Sequence, residues 1–129
     1  MDIFDISHVV ANKRILLHKT ITVRAAMAVQ NHCWLRDKTS TDVYARSIVL
    51  ECPGLANELS HPPTGSNPRI GGPLAPYGFD EVEVSGVLRR SPYPEFEAML
   101  TDLTSVTLIG YEGRRIPITL TAVDKPPIT

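Results

Sequence analysis

Apolar and polar residues alternate along residues 81–89, where Val82, Val84 and Leu88 face one way and Gly86 occupies the remaining place in that series. This period of two is typical of a β-strand with one buried face. A glycine in the middle of such a strand indicates a bulge or a sharp bend, because it lets other atoms come close to the backbone. The chain also has 11 prolines in 129 residues, and proline interrupts helices. These features predict a mainly β fold built from short strands.

Further strand patterns lie on both sides of this segment. The alternation predicts five more strands, at residues 19–30, 33–36, 46–52, 105–109 and 114–120. The first two are expected to form a hairpin, because the asparagine and its neighbours at residues 30–32 tolerate turn conformations. Pro117 restricts the last strand to an edge or an irregular position, since proline has no backbone donor.

Helices and loops complete the predicted domain. Apolar residues have helical spacing within residues 2–12 and again within residues 94–103, so we expect a short helix at each place. Prolines and glycines recur through residues 53–80, which predicts a long irregular loop with at most one helical turn at 55–59. Residues 124–129 are expected to form a loose tail. A chain of 129 residues suits one domain with one core.

The pattern V-x-V-x-G-x-L at residues 82–88 and the segment LTSVTLI at residues 103–109 resemble the fourth and fifth strands of OB folds. The segment KTITVRAAMAV at residues 19–29 resembles an OB first strand, with Ala25 or Ala26 where a glycine is usual. The resemblance covers roughly residues 15–110. It implies a five- to six-stranded OB-like β-barrel, which also solves the edge problem of short strands. The alternative is another small barrel, or a sandwich in which Gly86 marks a simple bulge.

Composition restricts the environment and the partners that we expect. The formal net charge is −1, with 13 Lys and Arg residues against 14 Asp and Glu residues. This balance argues against strong sequence-independent binding of nucleic acid but leaves a local basic patch open. No basic segment precedes an apolar run at the N-terminus, and no apolar run is long enough to span a bilayer, so a cytoplasmic protein without a membrane segment is expected. Cys33 and Cys52 are expected to be reduced thiols.

The OB resemblance implies binding through the second and third strands and the flanking loops. Two arginine doublets, at residues 89–90 and 114–115, lie at predicted strand ends and would form one anion-binding patch if those strands lie close together. The candidate binding residues are Trp34, Arg36, Arg46, Arg89, Arg90, Tyr93, Arg114 and Arg115. The alternative interpretation is that Trp34 belongs to the core and that the arginines form a solvated rim.

The sequence contains no pattern typical of a catalytic or metal site. His32, Cys33, Cys52 and His61 lack the close spacing of a zinc knuckle. The carboxylate pairs at residues 81 and 83 and at residues 95 and 97 are expected to lie on solvated surfaces. No G-x-S-x-G, G-x-G-x-x-G or P-loop motif occurs. We therefore predict no catalytic residue, no metal and no cofactor.

These observations favour a small non-enzymatic binding module. It would hold another protein, or a second copy of itself, through the barrel face and the loops at residues 53–79 and 91–98. The alternative is a single-stranded nucleic-acid binder of the OB type, which needs aromatic rings for stacking and cations along a groove. A weaker alternative is an enzyme whose site has no sequence signature.

Overall fold

A computed structural model of the protein describes residues 3–30, 32–37, 47–52, 81–109, 115–118 and 120. These residues form seven strands and two short helices. In chain order the elements are β1 (Ile3–Phe4), α1 (Ile6–Ala11), α2 (Lys13–Leu16), β2 (Thr20–Gln30), β3 (His32–Arg36), β4 (Ile48–Leu50), β5 (Glu81–Arg89), β6 (Ala98–Ile109) and β7 (Arg115–Ile118). Neither helix in this part of the chain is long and apolar enough to cross a membrane.

Several predicted features fall outside the described residues. These are the loop at 53–80 with its helical turn at 55–59, the tail at 124–129, and the candidate binding residues Arg46 and Arg114.

Five strands close into a barrel. β2 pairs with β3, β3 pairs with β4, and β5 pairs with both β2 and β6, all antiparallel, while β4 pairs with β6 in parallel. Because β2 and β5 are hydrogen-bonded neighbours, the circle β2-β3-β4-β6-β5 is complete. The structure therefore confirms the predicted small β-barrel and excludes the sandwich.

The two longest strands, β2 and β6, each pair with three other strands and change partners along their length, so the sheet can curl into a barrel. Residues 20–26 of β2 pair with β5, and residues 26–30 pair with β3. In β6, residues 98–100 pair with β4 and residues 106–109 pair with β7.

The bend predicted at Gly86 is present. The pairing of β5 with β6 shifts between Ser85 and Val87, which face Ser105 and Thr101. A Cβ atom on Gly86 would lie 2.8 Å from the Thr101 carbonyl oxygen and 2.8 Å from Leu103 Cδ2. Glycine is required there because the two backbones approach too closely for a side chain. The extra residues are in β6, and Asp102 adopts a left-handed φ of 49°.

The N-terminal segment packs on the barrel as a short strand and then a helix. β1 pairs with β2 in parallel at Thr22 and Val23. α1 begins after Asp5, whose Oδ1 accepts a hydrogen bond of 2.8 Å from the His8 backbone N–H, so Asp5 caps the helix. Ile6 and Val9 of this helix enter the barrel core. The helix predicted within residues 2–12 is therefore present, with a strand before it.

The helix predicted within residues 94–103 is wrong. β6 begins at Ala98, and Ala98 and Leu100 face the barrel interior while Met99 faces outward. The helical spacing arose because the bulge at Asp102 shifts the alternation and returns Leu103 to the interior. Non-local pairing with β4 and β5 decides the conformation here.

Two apolar clusters stabilise the fold. The larger fills the barrel with the inward residues of all five strands and contains both cysteines, which are buried free thiols. The smaller lies outside the barrel, where Ala28, Trp34, Val49 and Met99 form one row across β2, β3, β4 and β6 with Phe96 against it. The outward face of β3 and β4 is therefore apolar and buried at this point.

Candidate functional site

The connection between β5 and β6 (residues 90–97, the β5–β6 loop) is fixed by its own hydrogen bonds. Ser91 Oγ accepts from the Tyr93 backbone N–H at 3.0 Å and donates to the Tyr93 carbonyl at 2.9 Å. The Phe96 N–H donates to the same carbonyl, and the Glu97 N–H donates to the Ser47 carbonyl. Prolines on either side of Tyr93 further restrict the backbone. The loop therefore presents Tyr93 in a defined position.

Aromatic rings connect this loop to the outer face of the barrel. Ring centroids are 5.9 Å apart for Trp34 and Phe96, 6.2 Å for Phe96 and Tyr93, and 5.0 Å for Tyr93 and His32. Trp34 is 1% exposed, whereas Tyr93 is 37% exposed. Trp34 is thus a buried residue that packs against Phe96 of the loop, in agreement with its alternative interpretation as part of the core. Tyr93 and His32 form the accessible end of this row of rings.

A cavity of about 300 Å³ lies beside the loop and has a basic lining (the basic cavity). Four cations surround it, two from α2 and two from the end of β5. The lining residues are Lys13, Arg14, Leu17, Arg89, Arg90, Ser91, Phe96, Glu97 and Ala98. Arg89 and Arg90 were predicted as binding residues, and the structure brings them together with Lys13 and Arg14.

Two of the four cations have partners. Lys13 Nζ forms an ion pair with Glu97 Oε2 at 2.9 Å. Arg89 donates to Thr101 Oγ1 at 3.2 Å and to His18 Nδ1 at 3.1 Å, and lies 3.8 Å from the Asp102 carboxylate. The side chains of Arg14 and Arg90 are exposed and have no hydrogen bond or ion pair within the described part of the chain. The cavity therefore contains two uncompensated positive charges.

Backbone contacts place α2 against the end of β5. Leu16 is buried in the core and anchors the helix. The His18 N–H donates to the Leu88 carbonyl at 2.7 Å, and the Leu88 N–H donates to the Lys19 carbonyl at 3.0 Å. His18 reaches this position with a left-handed φ of 68°. Sequence reasoning missed Lys13 and Arg14, because the contact between α2 and β5 joins residues about 70 positions apart. The signal that could have found them is that they form a basic doublet, like the two arginine doublets chosen as candidates.

Arg115 is separated from the basic cavity. Ile109 pairs with Arg115 in β7 and with Glu81 at the start of β5, whereas Arg89 lies at the other end of β5 and pairs with Met99. The doublets at residues 89–90 and 114–115 therefore do not share one patch, as far as their described members show.

Arg115 belongs instead to an ion-pair ladder (Arg24, Glu81, Glu83 and Arg115) on the outer face of the sheet. The two terminal nitrogens of the Arg115 guanidinium, Nη1 and Nη2, donate to Glu83, and Arg24 lies 3.1 Å from Glu81 and 3.7 Å from Glu83. The hydrogen bonds from Arg115 lower the pKa of Glu83, and the hydrogen bond to Glu81 raises the pKa of Arg24. The shared face of Glu81 and Glu83 was predicted, but Glu83 is buried, so the expected solvated position is wrong for it.

A second cavity, of about 310 Å³, lies next to this ladder. Its lining residues are Asp5, Ile6, Ser7, Arg24, Ala25, Ala26, Arg36, Asp37 and Glu81. Arg36, a predicted binding residue, is buried there opposite Ala26. The two arginines face three carboxylates, so this cavity has no excess of positive charge, in contrast to the basic cavity.

The histidines and cysteines considered for a zinc site do not come together in the described part of the structure. His32 faces outward against Tyr93, whereas Cys33 is buried inside the barrel, and His61 lies outside the described residues. Within the ranges that the structure describes, no group of three or more His, Cys, Asp and Glu residues is arranged to hold a metal ion.

Comparison with known proteins adds no family to this description. No protein-family model matches the chain, and no curated protein matches it either. In the part of the chain that the structure describes, the fold and the site together define a small closed β-barrel with a basic cavity at which two arginines have no partner.

Proposed function

We propose that this protein is a small, non-enzymatic binding module of the OB type that binds an acidic segment of another protein through the basic cavity and Tyr93. The strand arrangement supports the OB assignment. β2, β3 and β4 follow one another antiparallel, and β5 returns after a long connection to lie beside β2, which is the Greek-key order of a five-stranded barrel.

The observation that carries the proposal is the charge of the basic cavity. Arg14 and Arg90 are uncompensated, while the whole chain has a net charge of −1. Among the described residues, two arginines without a partner therefore lie at one cavity, whereas Arg24 and Arg115 are paired with Glu81 and Glu83. An acidic ligand would supply the missing partners, and arginine forms strong two-bond contacts with carboxylates.

An exposed aromatic side chain beside the cavity favours a protein ligand. Tyr93 is 37% exposed and lies on the β5–β6 loop, whose residues Ser91 and Phe96 line the cavity. Tyrosine and arginine are enriched in protein interfaces and often supply most of the binding energy. Charge near the cavity and apolar area at its edge are the two components of such an interface.

Glu83, a buried carboxylate of the described residues, is not a candidate general acid. Glu83 is held in its charged form by Arg115 and Arg24, which lowers its pKa. A carboxyl group that acts as a general acid near neutral pH needs the opposite shift.

The second candidate function is the binding of single-stranded nucleic acid. Tyr93 lies on the β5–β6 loop, which lines the basic cavity, and contacts His32 at the start of β3; OB-type proteins bind ligands through such loops and the strands beside them. It ranks second because the rings pack on one another, Trp34 is buried, and two uncompensated arginines would displace few counterions from a strand.

The test compares the wild type, a cavity variant and a control variant in a capture experiment. Tagged wild-type protein, an Arg14→Gln/Arg90→Gln/Tyr93→Ala variant and a Lys19→Gln control are incubated with an extract of the expressing cells, and bound proteins are quantified by mass spectrometry. Lys19 is exposed and lies outside the basic cavity. We expect proteins captured by the wild type and the control to be lost from the triple variant. Equal capture by all three chains would refute the proposed surface.

Two further measurements separate the alternatives. Salt-dependent binding of an unlabelled single-stranded oligonucleotide pool at low ionic strength, lost in the same triple variant, would favour the nucleic-acid function. Sedimentation velocity over a range of concentrations detects a second copy of the chain as the partner.

A further inference from the structure

We infer that the basic cavity accepts a phosphomonoester group, carried by a phosphorylated side chain of the protein ligand. This inference rests on the proposed function and specifies which acidic group enters the cavity. It depends on three properties of the cavity: its uncompensated charge, its size and its apolar wall.

The charge of the cavity matches a dianion. Glu97 neutralises Lys13, and Arg89 is already shared among Thr101, His18 and Asp102. Arg14 and Arg90 remain, with one positive charge each. A phosphomonoester carries a charge of about −1.5 to −2 near neutral pH and offers three acceptor oxygens. A single carboxylate or a phosphodiester carries only one negative charge and would leave one arginine uncompensated.

The geometry of the donors also suits phosphate. Guanidinium groups bind phosphate through two parallel hydrogen bonds, so two arginines on opposing elements can hold one phosphate between them. Arg14 belongs to α2 and Arg90 follows β5. The hydrogen bonds between His18, Lys19 and Leu88 fix these two elements relative to each other, so the backbone positions from which the two arginines extend are set before a ligand binds.

The size and lining of the cavity favour a side chain over a continuous strand. Its volume of about 300 Å³ lies at the lower limit of small-ligand pockets. Leu17, Phe96 and Ala98 provide an apolar wall beside the cations. A phosphorylated side chain has a matching arrangement, with an apolar stem that ends in a dianion.

The experiment is an NMR titration of the isotope-labelled full chain with four probes near neutral pH. They are N-acetyl-O-phosphoserine amide, N-acetylglutamate amide, dimethyl phosphate and a 5′-phosphorylated single-stranded oligonucleotide. We expect the phosphoserine probe to shift the amide signals of Arg90 and Ser91, and to bind about tenfold more tightly than the glutamate probe or the diester, because charge-assisted hydrogen bonds to a dianion are stronger.

Variants locate the binding. In the Arg14→Gln/Arg90→Gln variant the affinity for the phosphoserine probe should fall by about tenfold or more, whereas the Lys19→Gln control should stay within about twofold of the wild type. Both substitutions change exposed residues, and a spectrum like that of the wild type establishes that each variant is folded.

Each other outcome overturns the inference in a recognisable way. Equal affinity for the phosphoserine and glutamate probes would mean that the cavity binds any carboxylate-like charge, so the phosphate inference would fail while the acidic-protein proposal stands. Tighter binding of the oligonucleotide than of the phosphoserine probe would overturn both in favour of nucleic acid. No shift with any probe, together with protein capture that is lost in the Arg14→Gln/Arg90→Gln/Tyr93→Ala variant, would remove the phosphate inference alone.

Discussion

The two ends of β5 carry the same types of charged residue but use them differently. At the Glu81 end, Arg24 and Arg115 face Glu81 and Glu83, and the buried Glu83 accepts hydrogen bonds from Arg115. At the Arg89 end, Arg14 and Arg90 have no partner among the described residues. At the Glu81 end the charged groups form ion pairs with one another, and these contacts stabilise the fold. The Arg89 end leaves two charges available for a ligand. An arginine with a structural role differs from a candidate binding arginine here in its surroundings. The residue type alone does not reveal this difference.

The largest expected effect is at Gly86, which lies between the two ends and sets the bend of β5. In Gly86→Ala the new Cβ would meet the Thr101 carbonyl and Leu103, and the backbones would have to separate. We expect a loss of about 2–3 kcal/mol in the free energy of unfolding, which urea denaturation measures. Ser105→Ala, at an exposed position of β6, is the control. A Gly86→Ala protein as stable as the control would mean that the close approach does not exist.

The carboxylates at the two ends provide the next comparison. Glu83→Gln removes the partner of Arg115 from a buried position and should cost about 1–2 kcal/mol of unfolding free energy. Glu97→Gln breaks only the exposed pair with Lys13 and should cost less than about 0.5 kcal/mol. Equal losses in urea denaturation would contradict the distinction between the two ends. Glu97→Gln should also strengthen anion binding, since it frees Lys13.

Lowering the pH should reduce the contribution that Glu83, at the Glu81 end of β5, makes to the free energy of unfolding. The pKa of Glu83 is lowered from its ordinary value of 4.5, chiefly by hydrogen bonding from Arg115. A lowered pKa in the folded state means that the stabilisation is complete above the unfolded-state value and is lost as pH falls through the folded-state value. The difference in unfolding free energy between wild type and Glu83→Gln should therefore be constant near neutral pH and shrink below about pH 4.5. A difference that grows on acidification would reverse the assigned sign.

The smallest effect on stability is expected at the basic cavity. Arg14→Gln/Arg90→Gln removes two charges without breaking a contact, so the unfolding free energy should stay within about 0.5 kcal/mol of the wild type. Arg24→Gln/Arg115→Gln changes the net charge equally but leaves Glu83 without its donors, and should lower stability. The same stability loss in both variants would remove the basis for calling the cavity arginines uncompensated.

Much of the fold was predictable because it depends on local patterns. Alternation along residues 81–89 and 19–30 predicted β5 and β2, which pair with each other, and Gly86 predicted the bend in β5. The helix predicted within residues 94–103 failed because the bulge at Asp102 imitates helical spacing. A bulge of this kind depends on the partner strand, which a single segment does not reveal.

The candidate site was predictable only in part. Arg89, Arg90 and Tyr93 were chosen because they follow a clear strand end, and they lie at the basic cavity and its loop. The partners of Arg115 and the approach of Lys13 and Arg14 depend on pairings between distant parts of the chain. Trp34 has a ring that could stack on a ligand. It is buried because Phe96 and the apolar row across four strands pack against it, which the sequence does not show.

The most direct test of the central claim is a map of amide shifts when the isotope-labelled chain is titrated with an oligoglutamate peptide at low ionic strength. We predict that the shifts cluster at residues 13–17 and 89–98, around the basic cavity, and that residues 24, 83 and 115 of the ion-pair ladder stay unchanged. Shifts centred on the ladder, or no saturable shift at the cavity, would contradict the assignment of the ligand-binding role to the Arg89 end of β5.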